Sequence, residues 1–129
     1  LIHYKIFLQL DISMMKAIQF YQRGMMIEEW EIWWADVKFD DSDESKRRPV
    51  LVLNSENAFF IETAKVTTHE PRDIFDYQIK NLESCGLNKD STIRLNKKIT
   101  IEREKMIAKS GKLSKQDIVF VKLILNRRK

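Results

Sequence analysis

Two apolar runs separated by three polar residues constrain this chain more than any other feature. The first, Arg47-Arg48-Pro49-Val50-Leu51-Val52-Leu53-Asn54, is β-branched and leucine-rich, with its proline at the front, where a missing ladder donor is tolerated. It reads as a buried strand beginning at Pro49. Ser55, Glu56 and Asn57 supply a short polar reversal, and residues 58–68 (AFFIETAKVTT) re-enter an apolar run whose Thr, Val, Ile and Phe content suits a pleated surface. Adjacent antiparallel strands bring the start of the first and the end of the second to the same end of a hairpin. The pattern therefore predicts that Arg48 meets Thr67 and Thr68.

The flanking segments extend a β-rich plan. Residues 31–39 (EIWWADVKF) have strand composition, and Trp33 and Trp34, being adjacent, must face opposite sides. Residues 40–46 (DDSDESK) form a polar, mostly acidic loop ahead of Arg47. Beyond the hairpin Pro71 breaks the ladder, and Ile74, Phe75, Ile79 and Leu82 fall at helical intervals before Gly86, which predicts a short helix over 73–85. Residues 91–95 and 98–101 return to alternation, with Ile93 and Leu95 on one face and Arg94 pointing outward. Ser114-x-x-Asp117 resembles a capping arrangement ahead of Ile118, Val121, Ile124 and Leu125, so the chain closes on an amphipathic helix whose terminal cations suit a helix C-terminus.

A length of 129 residues suits one domain with a real core. Cys85 is the single cysteine and no Cys/His cluster has metal-ligand spacing, so neither a disulfide nor a metal or other cofactor is expected, and a reducing cytoplasm is the simpler home. Residues 1–10 (LIHYKIFLQL), interrupted by His3, Lys5 and Gln9, are too short and mixed to span a bilayer, which predicts no membrane partner. Residues 13–23 read as a helix between a Ser13 cap and Gly24, and the interpretable pattern starts after Met25-Met26-Ile27. Residues 1–24 are thus expected to be an extension outside a core domain of 25–129. The net charge of +4 conceals 10 basic against 15 acidic residues in 1–87, and 13 against 4 in 88–129. A basic half can hold a polyanion by displacing its counterions, or can present a solvated surface or a docking face for an acidic partner.

Taken in order, EIWWADV, a polar loop, RRPVLVLN, a strand ending AKVTTH, STIRLNKKITIE and a final KLSKQDI helix resemble the MazF/PemK family of toxins from bacterial toxin–antitoxin pairs, over about residues 27 to 125. The resemblance implies a small Src-homology-3-like β-barrel, mainly β, with a short helix between strands and a C-terminal helix. It also implies a homodimer, a cognate antitoxin as protein partner, and metal-independent cleavage of single-stranded messenger RNA. Carried over by position, Arg48 of the Arg-Pro pair and Thr67 match active-site positions of the family, and Arg94 matches the arginine of the PemK/Kid branch. That branch has an aspartate two residues later, where this chain has Asn96. Trp30 stands before Glu31 where the family commonly has glycine, the 40–46 loop has no glycine, and Ile99 replaces a commonly basic residue.

Cleavage of RNA by its own 2′-hydroxyl, as the resemblance implies, needs a proton acceptor, a proton donor for the 5′-oxygen, and cations for the charge building on phosphorus. Its product is a 2′,3′-cyclic phosphate. The arginine fork matches phosphate oxygens, so Arg48 and Arg94 are the candidate phosphate holders, with the Thr67 hydroxyl as an orienting donor. Arg47, Thr68, His69, Asn96, Lys97 and Lys98 are candidate RNA contacts; His69 is also a candidate proton carrier, though a histidine just past a strand is more often plain loop surface. Trp33, Trp34, Phe59 and Phe60 read as core or dimer-interface residues ahead of base-stacking platforms. The alternative to an endoribonuclease is a catalytically degenerate module that still binds RNA or antitoxin, because Asn96 cannot exchange a proton as a carboxylate does.

Overall fold

The computed structural model describes residues 12, 14–16, 18, 26–38 and 44–127. Its strands are β1 (Glu31–Val37), β2 (Lys46–Asn54), β3 (Phe60–Thr67), β4 (Asp76–Gln78), β5 (Thr92–Glu102) and β6 (Met106–Lys112), followed by the helix α1 (Lys115–Arg127). All pair antiparallel in one six-stranded sheet of order β4-β5-β3-β2-β1-β6. β5 and β6 are joined only by the 3-10 turn Arg103–Lys105, yet they lie toward opposite edges of that order, so the sheet has to curl. A register step lets it do so: between Ala64 and Lys65 the partner on β5 jumps from Lys98 to Arg94, a bulge that concentrates bend and twist.

The expected Src-homology-3-like barrel is therefore a curled sheet whose ladder stays open between β4 and β6. The turn over 82–86 crosses that seam. Lys112 N donates to the Ser84 carbonyl at 2.9 Å, and Ser110 Oγ donates to the Cys85 carbonyl at 2.8 Å. Gly86 takes φ +68 there, and a Cβ on it would fall on the Ser110 carbonyl, so the turn accepts only glycine.

The sheet is covered on both faces. Ile32, Leu51, Ala64, Val66, Tyr77, Ile93 and Leu95 pack with Leu113 and Val121 under α1. Trp33, Ala35, Val37, Val50, Val52, Ile61, Ile101 and Met106 pack on the other side. Burial on both faces is why β2 reads as a continuous apolar run instead of an alternating one. Each fully buried side chain such as Leu51, Ile93 or Leu95 contributes about 1.5–3 kcal/mol.

Several sequence expectations shift. β2 starts at Lys46, not Pro49; Pro49 pairs with Trp34 of β1, while the ladder to β3 begins one residue later at Val50, which leaves the proline beside an unpaired flank. β3 starts at Phe60 because Asn57 Oδ1 takes the Phe59 and Phe60 N–H groups at 2.8 and 3.1 Å. The helix over 73–85 does not form. Asp73 Oδ1 accepts Phe75 N and Asp76 Oδ2 accepts Arg72 N, both at 2.8 Å, local bonds that compete with a helix, and Tyr77 enters the sheet opposite Ile93. Residues 91–95 and 98–101 belong to one 11-residue strand interrupted by the bulge.

The capping arrangement does form, with Asp117 N donating to Ser114 Oγ at 3.2 Å. Ile12, Met14, Met15, Lys16 and Ile18 are helical, in line with a helix over 13–23, while Ser13, Gly24, the boundary near 24 and most of the acidic 40–46 loop lie outside the described residues. Trp30 has φ +71, a left-handed conformation that a non-glycine residue seldom adopts. Backbone bonds pin it, Trp30 N to Val52 O and Leu113 N to Trp30 O at 2.9 Å each.

Candidate functional site: a cationic cleft at the open end of the hairpin

The β2–β3 hairpin has a closed end at the Asn54–Phe60 turn and an open end where Lys46–Arg48 face the exit of β3. At that open end a cleft of about 790 Å3 lies between the strand ends and the 83–91 segment. One wall carries Lys46, Arg47, Arg48, Thr67, Thr68 and His69; the other carries Glu83, Gly86, Leu87, Asn88, Lys89 and Ser91; Trp34, Pro49 and Val66 lie between them. Among the described residues, Lys46, Arg47, Arg48 and Lys89 oppose a single lining carboxylate, Glu83, so this part of the cleft is cationic.

The placement of Arg48 and Thr67 follows from register. Leu51 and Val66 lie in the cluster under α1, so by alternation Arg48, Val50, Lys65 and Thr67 share the opposite sheet face, whereas Val66 and the Trp34–Pro49 pair of the same lining are on the α1 face; the cleft draws on both faces at the strand ends. Thr67 Oγ1 accepts the His69 N–H at 3.3 Å, which leaves its own proton for an acceptor in the cleft. Among the described residues Arg47 makes a long pair with Asp36, 3.9 Å with both side chains exposed, of little energetic weight.

The remaining candidates divide. Arg94 shares the sheet face of Thr67, since Lys65 pairs with Arg94 and Thr67 with Thr92, but it does not line the cleft. Nor does it point outward as a solvated cation: its side chain is only 17% exposed and pairs with Asp76 Oδ1 at 3.4 Å. The carboxylate beside Arg94 thus comes from β4 rather than from position 96. The sequence reading missed Asp76 because only strand pairing, Asp76 opposite Arg94, brings them together. Asn96 and Lys97 sit exposed in the β5 bulge, away from the cleft. Lys98 lines a different hollow, with Trp30 and Lys122.

The wall over 83–91 is held from behind by a residue that the sequence assigned only to capping. Asp117 is fully buried. Its Oδ1 accepts a short hydrogen bond from Tyr77 Oη and the Lys80 N–H at 3.1 Å, and its Oδ2 accepts the Asn81 N–H at 3.1 Å. Burial works to raise its pKa, but these bonds and Ser114 outweigh it and hold the carboxyl below its ordinary value. Tyr77 is pushed up, by burial first and then by Asp117. Burial likewise raises the Cys85 thiol, making it a poor nucleophile. Among the described residues no three His, Cys, Asp or Glu side chains gather as a metal site, and no helix is long and apolar enough to cross a membrane.

Comparison with known proteins bears on the family and the fold. A sequence profile of PemK-like, MazF-like toxins of type II toxin–antitoxin systems matches residues 28–127. The chain belongs to this family. No curated protein sequence matches it. Among solved structures, an endoribonuclease in complex with its cognate antitoxin from a mycobacterial species aligns with a TM-score of 0.64 at 10% identity, over 78% of this chain and 92% of its own. The Mycobacterium tuberculosis toxin MazF-mt6 aligns with a TM-score of 0.61 at 20% identity, over 75% and 93%. At such identities the likeness speaks for the fold alone. It covers nearly the whole of those chains, and the profile runs here from Glu28 to the end of α1, so this PemK/MazF-like domain spans the toxin fold.

Proposed function

We propose that this protein is the toxin of a type II toxin–antitoxin system and an endoribonuclease that cuts single-stranded messenger RNA without a metal, leaving a 2′,3′-cyclic phosphate. The observation that carries the reading is that Arg48 and Thr67 line one cleft in which, among the described residues, cations outnumber carboxylates four to one. Arg48 grips the scissile phosphate and its developing charge, and Thr67, its oxygen already engaged by the His69 N–H, donates to a phosphate oxygen. Arg47, Thr68 and His69 contact flanking backbone. His69 and Glu83 are the lining side chains able to exchange a proton during attack and departure. Arg94, tied to Asp76, is an outer cation whose field is largely cancelled.

The protein works as a homodimer in the cytoplasm, and a disordered, acidic segment of its antitoxin silences it by covering the same cations. The test is incubation of purified protein with long messenger RNA in EDTA. Cleavage with cyclic-phosphate ends, lost in Arg48→Ala while the melting temperature holds, is expected; intact RNA under every condition overturns the nuclease.

One observation favours a second reading, a binding module that no longer cuts. Asn96 carries no carboxylate, and the Asp76 side chain that stands near Arg94 is 1% exposed, closed to substrate. RNA binding that depends on Arg48 without any cleavage would establish that reading.

A further inference from the structure

The cleft holds more than phosphate chemistry requires. Trp34 is partly buried, belongs to neither core cluster, and lines the cleft beside its cross-strand partner Pro49. Its neighbour Trp33, by contrast, is 6% exposed and spends its indole N–H on Glu31 at 2.9 Å. Leu87 completes an apolar floor, and Asn88, with donors and an acceptor on one side chain, stands next to it on the same wall. The approach to that wall is anchored without any ligand, because Asp117 holds the Lys80 and Asn81 N–H groups and Ser110 Oγ holds the Cys85 carbonyl. A tryptophan, an exposed amide and several cations in one lining make up the parts of a single-strand nucleotide site: a surface for the base, a reader for its edge, and charge for its phosphates.

We propose that Trp34 is a platform on which one nucleobase of a single-stranded RNA stacks, with Asn88 hydrogen-bonding that base's edge, so that the 83–91 segment sets the sequence preference. The inference takes its ligand from the ribonuclease reading above, but it is tested by binding rather than by cutting. The probe is a 12-nucleotide random pool of 2′-fluoro RNA, which has no 2′-hydroxyl and cannot be cleaved by one. Wild-type tryptophan emission should fall on titration, and the change should largely vanish in Trp34→Phe while affinity is kept within about threefold. Trp34→Ala should weaken binding about five- to hundredfold, the range that loss of one stacked base produces. Asn88→Ala should bind the pool nearly as tightly yet lose a base preference at one position when the bound fraction is sequenced.

Unchanged affinity and unchanged emission in folded Trp34→Ala would overturn the site, as would an acidic peptide that alone depends on Trp34. Should the natural RNA be cut normally by Trp34→Ala, the base site fails and the nuclease stands. If wild type binds the pool through Trp34 but cuts nothing, the base site stands and the nuclease fails. Where Trp34→Ala does not fold, the Trp34→Phe emission and the Asn88→Ala preference decide alone.

Discussion

The two walls of the cleft are built on different principles. The hairpin wall holds Arg48 and Thr67 on strands whose backbones are pinned by long ladders, Val50 to Lys65 on one side and Lys65 to Arg94 beyond it. The opposite wall, 83–91, has no ladder of its own. It hangs from one buried carboxylate, one left-handed glycine and hydrogen bonds to Ser110 and Lys112 of β6. The contrast teaches how a small domain divides labour between its elements. On the reading proposed above, the arginine that would meet a phosphate sits on a strand, while the groups that would discriminate among ligands sit on a loop anchored by packing.

The largest test of that division is at the hairpin wall. Arg48→Ala should lower kcat by about 100- to 1000-fold, with Thr67→Ala costing less, and neither should move the melting temperature by more than a few degrees. If a turn-wall substitution costs kcat as much, the division is wrong. Asp117→Asn comes next. It leaves Tyr77 Oη and two N–H groups with a weaker partner, a cost of about 2–3 kcal/mol in urea unfolding, and it should raise KM more than it lowers kcat because only the recognition wall moves. Gly86→Ala forces a Cβ into a left-handed residue and onto the Ser110 carbonyl. A loss of about 1–2 kcal/mol is expected from conformation alone, with increased protease cutting near 86 as the local readout.

The smallest effect is the acid limb of stability. Asp117 and Glu31 both titrate below their ordinary values of 3.8 and 4.5. For Glu31, burial raises the pKa but is outweighed by hydrogen bonds from Lys109, the Glu28 N–H and the Trp33 indole. Unfolded chains bind these protons first as pH falls, so this stability is whole above about pH 4.5 and drains away on the acid side. Asp117→Asn should flatten part of that limb, and Lys109→Ala should flatten another part, measured by denaturation midpoints from pH 6 down to about 3. An acid limb unchanged in both variants would separate the two carboxylates from stability and remove Asp117 as the anchor of the turn wall.

The walls also differ in how far they could be read from residues. The hairpin wall was legible because strand periodicity and a polar reversal are local signals, and together they place Arg48 and Thr67 at one end. The helix expected over 73–85 was not, since Ile74, Phe75, Ile79 and Leu82 fit a helical spacing by coincidence. Ile74 is in fact 68% exposed, and Tyr77 is in the sheet. Asp117 reads as the closing residue of a capping box, and only the fold turns its carboxylate toward Tyr77, 40 residues away. Arg94 was placed on the right sheet face and given the wrong surroundings, because its partner Asp76 belongs to a three-residue strand too short to announce itself.

By itself the order of residues determined a mainly β chain, the hairpin with its arginine and threonine at one end, and the capped final helix, all features carried by local patterns along the chain. Tertiary structure alone decided that the barrel stays open between its edge strands, that a turn spans the opening, and that this turn forms the second side of the cleft. Those outcomes depend on contacts between residues far apart in the chain, whose energies exist only once a curled sheet has brought them within hydrogen-bonding distance.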